Sequence, residues 1–155
     1  VNRTIDDQKG DSSTGAVPVY TPGDAWADGQ TCTGCALTSH IIKASVFDGT
    51  WHDSTYHPGD PPRTISASFN GSAVYVFATL ANNFGGITTF TNYTFYIDGG
   101  LVGQTVRAPA STADFIYRFP VYINTSLSNT PHNITIIGGG GPNATLILFD
   151  YIAYT

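Results

Sequence analysis

The sequence predicts an all-β domain built as two packed antiparallel sheets. Three observations carry that expectation. The strong helix formers are nearly absent, since the 155 residues contain no Met, no Glu and only two Lys. Gly, Thr, Tyr, Phe, Val and Ile are abundant instead, a composition that suits strands and tight turns. Short runs with period-two alternation are separated by Gly and Pro turn signals, and no segment keeps a helical period.

The elements follow in order. Residues 1–64 read as loop-rich, punctuated by Pro18, Pro22, Gly23, Gly29, Pro58 and Gly59, with short apolar pieces at 16–20 and 41–47. From residue 65 the main strands begin, and 1–155 reads as one domain. Residues 64–69 alternate, and 73–80 form an apolar run suited to a buried strand. Residues 93–97 and 101–106 flank Asp98-Gly99-Gly100, a hairpin-turn signal. The run 115–123 contains Pro120, which places it at a sheet edge or a bulge. Residues 133–137 and 145–154 close the chain, joined by Gly138-Gly139-Gly140-Gly141-Pro142, which reads as a flexible loop. The last run is apolar on both faces and belongs in the middle of a sheet. Asp150 inside it is anomalous, because a buried carboxylate needs donors or a cation. Tyr75, Phe77, Phe95, Phe149 and Tyr151 are expected in the core.

Charge narrows the function. The net charge is −5, and the six basic residues are scattered. Nucleic-acid partners need clustered Lys and Arg, so none is expected. A basic patch for anionic lipid is lacking too. No apolar run reaches the roughly 18 residues of a membrane span, so no membrane insertion is expected. With no initiator Met, Val1 is expected to begin a processed, mature chain.

Six of the nine Asn residues stand in N-x-[ST]: Asn2, Asn70, Asn92, Asn124, Asn133 and Asn143. These acceptor patterns point to a secreted glycoprotein whose glycans solubilise a charge-poor surface. An outward Asn92 puts Tyr93, Phe95 and Ile97 inside, and an outward Asn133 puts Ile134 and Ile136 inside. Both assignments agree with the hydrophobic alternation. Cys32 and Cys35 form C-x-x-C. A redox role wants a βαβ context that is not visible, and a zinc site wants two more ligands where only His40 is near. A small local disulfide is the expectation.

The segment 48–64 concentrates chemistry. Trp51 and Tyr56 could stack a sugar ring while His52, Asp53, His57 and Asp60 bond its hydroxyls, with Trp26 as a further aromatic. A metal site at His52, Asp53 and His57 competes with that reading. So does a glycosidase pair drawn from Asp48, Asp53 and Asp60. A plain loop in which Trp51 covers one end of the core is the fourth reading. No G-x-S-x-G nucleophile motif occurs.

Trp51 in its polar loop, then Thr64-Ile-Ser-Ala-Ser-Phe, Tyr93-Thr-Phe-Tyr-Ile-Asp-Gly-Gly, His132-Asn-Ile-Thr-Ile and Leu148-Phe-Asp-Tyr-Ile-Ala-Tyr follow one another along the whole chain. This ordered series resembles the galactose-binding-like jelly-roll domain of secreted and membrane-anchored proteins of mushroom-forming (basidiomycete) fungi. The opening Thr4-Ile-Asp-Asp is similar to the start of such domains. The resemblance implies a jelly-roll sandwich, and together with the aromatic and polar residues of 48–64 it leads to the expectation of a non-enzymatic, lectin-like function at the cell wall or outside the cell. It also implies a structural calcium ion between the first and last strands, held by Asp150 with Asp6 or Asp7. A self-associating wall protein without a glycan site is the rival from a different class, and a glycan hydrolase is the third.

Overall fold

The computed structural model describes all of residues 1–155. Twelve strands carry it: β1 (Arg3–Asp6), β2 (Gly10–Asp11), β3 (Val19–Thr21), β4 (Ala27–Asp28), β5 (His52–Tyr56), β6 (Arg63–Gly71), β7 (Val74–Ala81), β8 (Thr91–Ile97), β9 (Gly100–Arg107), β10 (Phe115–Asn124), β11 (Thr130–Gly138) and β12 (Thr145–Tyr154). They form two antiparallel sheets. One runs β10-β7-β12-β1-β2, with β5 also on β12 and β4 on β5. The other runs β3-β6-β11-β8-β9. From β5 to β8, and again from β9 to β12, consecutive strands cross from sheet to sheet, the winding of a jelly roll.

The core lies between the sheets. Eighteen residues form it, among them Ile5, Phe69, Val76, Phe95, Ile134, Ile147, Phe149 and Ile152. Tyr93, Phe95 and Ile97 are inside, as are Ile134 and Ile136, so Asn92 and Asn133 lie on the solvent face of their sheet. Asn70 is exposed on β6 of that same sheet. The 98–99 turn joins β8 to β9, with positive φ at both residues (51° and 80°), the geometry of a two-residue hairpin loop. Pro120 sits in β10, an edge strand, between two register shifts. A proline N–H is not missed there.

β12 is the central strand of its sheet. On one side it pairs with β7. On the other, β1 covers residues 151–154 and β5 covers 145–149, end to end. Asp150 falls at the junction and is the extra residue of a β-bulge opposite β7, where Phe149 faces Ala78 and Tyr151 faces Phe77. The bulge reverses the side-chain phase. Phe149 and Ile152 point into the core, whereas Tyr151 points out.

Three expected core residues are corrected: the bulge turns Tyr151 outward, and on β7 alternation with the inward Val74, Val76 and Ala78 turns Tyr75 and Phe77 outward. Tyr75, Phe77 and Tyr151 lie on the outer face, half-buried, and Phe47, Tyr151 and Phe77 stack with centroids 4.4 and 4.5 Å apart. The glycine run 138–141 is also not a free loop. A Cβ on Gly138 would lie 2.4 Å from Ile147 Cγ1, and one on Gly139 2.2 Å from the Tyr56 ring. Glycine is needed there for close packing.

A buried histidine fastens the β8–β9 hairpin. His132 Nδ1 bonds Asp98 Oδ2 at 2.7 Å, and its Nε2 bonds the Ser128 carbonyl at 2.9 Å. An imidazole that donates to two acceptors carries both protons. The bond that His132 donates to Asp98 raises the His132 pKa above 6.5. The Asn133 N–H, followed by His132, lowers the Asp98 pKa below 3.8. The histidine's contribution is therefore full below pH 6.5 and lost as pH rises through its raised value. The carboxylate's is full above 3.8 and lost in stronger acid. Wild type should melt above His132→Gln between these limits, and the difference should shrink as the pH rises past the raised pKa of His132. Melting curves of the two proteins against pH measure this, and an unchanged difference at high pH would mean the latch works without charge.

Candidate functional site

Trp51 organises the outer face of the β12 sheet. Leu146 and Leu148 point away from the main core, and Leu37, Ile41, Val46 and Trp51 pack over them with Ala81 as a second cluster. Trp51 is 1% exposed. Gly29 lies against its ring: the Gly29 N–H donates to the Trp51 carbonyl at 2.7 Å, and a Cβ there would sit 1.9 Å from Trp51 Nε1. The segment 29–50 is thus a lid that the sheet needs, held by apolar burial. The disulfide Cys32–Cys35 closes a tight turn within it, with Cα atoms 5.5 Å apart.

Between that segment and the sheet lies a pocket of about 390 Å³. Its aromatic wall is Trp26, which follows a short 3₁₀ turn and precedes β4. Cys35, Ala36 and Leu37 form a second wall, and Ile87 with Thr88 come from the β7–β8 connection. The floor is Asp53, Ser54 and Thr55 of β5 with Leu146 of β12. Asp24 and His57 stand at polar positions in the lining. A small concave site with one aromatic wall and a few polar groups is the usual form of a ligand pocket.

Asp53 is the unusual group in it. It is 7% exposed, and its one protein donor is Trp51 Nε1, at a long 3.4 Å from Oδ2. Burial pushes its pKa up to about 6, with Trp51 opposing weakly. Other buried carboxylates are better served. Asp11 accepts from Ser13 N–H and Tyr154 O–H, and Asp7 from Thr50 O–H, with His52 at its second oxygen.

The residues expected in the 48–64 segment separate. Trp26, Asp53 and His57 line the pocket. Trp51 and Tyr56 do not present a stacking face: both are core residues, 1% and 4% exposed. The reading in which Trp51 covers apolar structure holds, on the outer face of the sheet rather than at one end. His52 leaves the pocket as well. It stacks on Tyr20 (3.6 Å, 1°), bonds Asp7 Oδ2 at 2.8 Å and lies 3.6 Å from Asp28. Asp60 is engaged with Arg63 and the His57 N–H. No group of three His, Cys or Asp side chains is placed to hold a metal ion, which removes the His52–Asp53–His57 site. The reason is alternation, since His52 and Asp53 are neighbours on β5 and point to opposite faces. Asp48 pairs with Lys9 at 3.3 Å and does not line the pocket, nor does Asp60, so the expected carboxylate pairs do not form. Asp24, Ile87, Thr88 and Leu146 were missed. Only Asp24, beside Trp26 in a Gly-containing turn, carried a local signal.

At the β1–β5 junction lies a second acidic cluster. Asp6 Oδ2 accepts from the Gln8 and Lys9 N–H groups, and Asp150 Oδ1 from Phe47 N–H. Asp6 Oδ1 and Asp150 Oδ2 are buried with no partner. Burial raises both pKa values, that of Asp150 to about 7. Two orphaned carboxylate oxygens fit a hard cation by charge and donor type. Asp7 fits less well, because both of its oxygens are already engaged.

No protein-family model matches the chain, and no curated protein matches it. Solved structures do. The catalytic domain of a GH87 α-1,3-glucanase with nigerose superposes with a TM-score of 0.52 at 8% identity, over 99% of this chain and 28% of that one. A family 35 carbohydrate-binding module from Clostridium thermocellum gives 0.49 at 9% identity, covering 90% and 99%. The exo-β-1,3-galactanase from Phanerochaete chrysosporium with galactose gives 0.47 at 18%, covering 90% and 30%. The chain therefore spans less than a third of either enzyme. The glucanase likeness shows the fold, a β-sandwich.

Replacing Trp51 with Ala should cost about 3–5 kcal/mol, the loss typical of a buried large aromatic. Trp26→Ala should cost far less, because that ring is partly exposed. Denaturant unfolding of both variants checks the division, and equal losses would contradict it.

Proposed function

We propose that this domain is an extracellular, N-glycosylated carbohydrate-binding module that acts without catalysis, and that the pocket beside Trp26 is its glycan site. One observation carries the reading: a sugar-sized pocket joins an aromatic wall to a polar floor whose buried carboxylate, Asp53, has only a long bond from Trp51 as a protein donor. Sugars bring apolar ring faces for the indole and hydroxyl donors for the carboxylate. The solved structures with similar folds, a carbohydrate-binding module and two glycan-acting enzymes by name, agree with this class. The local disulfide supports an oxidising compartment. The sequons at Asn70, Asn92 and Asn133 share one sheet face, which supports glycan cover there. Fungal origin and a place at the cell wall rest on the resemblance in the sequence.

A hydrolase is the second reading, because Asp24 and Asp53 line the same pocket and Asp53 is held protonated to about pH 6. Release of reducing ends from a bound oligosaccharide would favour it over binding alone.

We also propose calcium at the β1–β5 junction, held by Asp6 and Asp150. The ion would neutralise two carboxylates that the fold buries, and would take no part in sugar chemistry.

Two outcomes test these readings. Trp26→Ala should lose retention on the polysaccharide that wild type binds, with its melting temperature nearly unchanged; retention equal to wild type would remove the site. Chelation should lower the melting temperature of wild type by mass action and leave Asp150→Asn unaffected. The same response in both proteins would remove the calcium assignment.

A further inference from the structure

The charge of the pocket restricts which glycans it takes. Its ionisable lining groups are Asp24, Asp53 and His57, and no Lys or Arg reaches it. Arg63, at the start of β6, reaches back to β5, and each nitrogen of its guanidinium already has an acceptor. Nε donates to Ser54 Oγ, Nη1 to the Pro61 carbonyl, and Nη2 to the Thr55 carbonyl and Asp60. Two donors of the lining are used internally as well. Ser54 Oγ donates to the Ala25 carbonyl at 2.6 Å, and Trp26 Nε1 to the Thr21 carbonyl at 3.2 Å. Besides the Thr55 and Thr88 hydroxyls and the His57 ring, the pocket offers a ligand the acceptors and negative charge of Asp24 and Asp53.

Resting on the reading of this pocket as a glycan site, we propose that it selects the protonated amine of an amino sugar and rejects glycans that carry carboxylate or sulfate. Asp53 is the selecting group. An ammonium brings three donors and a positive charge to a carboxylate whose one protein donor is the long bond from Trp51. An N-acetyl group brings one N–H and no charge. A uronate or sulfate meets two carboxylates with no Lys or Arg to offset them, an arrangement that costs free energy in a partly desolvated site. Burial, which pushes the Asp53 pKa up to about 6, adds a pH dependence. Above that value Asp53 is ionised and an amine of ordinary pKa near 8 is still protonated. Below about pH 5 the carboxyl is neutral and the preference disappears. Of the surrounding groups, Asp24 and His57 share the pocket. Tyr93, the other group electrostatically linked to Asp53, stays neutral because burial raises its pKa further.

The test measures binding of the glycosylated, full-length domain to a glucosamine hexamer, its N-acetylated counterpart and a hexagalacturonate. It is run near pH 6.5 and near pH 4.5, at about 0.15 M salt to screen the general attraction of a protein of net charge −5. The expected result at the higher pH is about tenfold tighter binding of the amine than of the N-acetyl form and no binding of the uronate, with near parity of the two hexamers at the lower pH. Asp53→Asn should bring the ratio close to one while keeping the weaker neutral binding. Asp114→Asn, which removes the same charge from an exposed position, should leave the ratio unchanged. Equal binding of the two hexamers to wild type, binding of the uronate, or an equal effect of both variants would overturn the selectivity and leave the glycan site standing. Silence toward all three, or binding that survives Trp26→Ala, would overturn the glycan site and the selectivity together.

Discussion

The structure depends on how β12 is paired. It is apolar on both faces, so it must lie inside a sheet with cover above and below. β7 takes one edge along residues 149–154. The other edge is shared between β1 and β5, which meet at Asp150. That division creates both polar features of the molecule. At the meeting point the bulge leaves Asp150 beside Asp6, each with an unpartnered oxygen. Along the β5 half, alternation sends His52, Ser54 and Tyr56 one way and Asp53 and Thr55 the other, which puts Asp53 beneath the 29–50 segment.

The lid over the outer face follows from the same constraint. Leu146 and Leu148 need burial on the side away from the core, and a loop-rich first third provides it. The cover is held by Trp51 and the close approach of Gly29 rather than by regular structure. Where it falls short of sealing the sheet, the pocket opens, with Trp26 on one side and the disulfide turn on the other. A site built this way has a rigid floor and walls contributed by loops, a common arrangement for recognition.

Much of the fold was legible in the sequence, because period-two alternation and turn chemistry are local. The 98–99 hairpin, the edge position of Pro120, the outward Asn92 and Asn133 and the anomaly at Asp150 all came from short stretches. The phase of Tyr151 did not, since a bulge shows itself only in the register of a partner strand. The choice between Trp51 as a platform and Trp51 as a cover stayed open for a related reason. A tryptophan among polar residues looks like a platform until the apolar residues it covers, Leu146 and Leu148, are brought in from almost a hundred positions away. The pocket was half legible. Trp26, Asp53 and His57 were named, but their company with Leu146 and Ile87 is a product of winding that no local signal carries.

The most direct test of the account is a map of backbone amide shifts in the isotope-labelled domain as an oligosaccharide is added. Perturbations centred on residues 24–27, 35–37 and 53–55, with Leu146 beneath them, are the result the account predicts. A map centred on the solvent face of the β3-β6-β11-β8-β9 sheet, or on the Phe47–Tyr151–Phe77 stack, would contradict it and move the ligand site elsewhere.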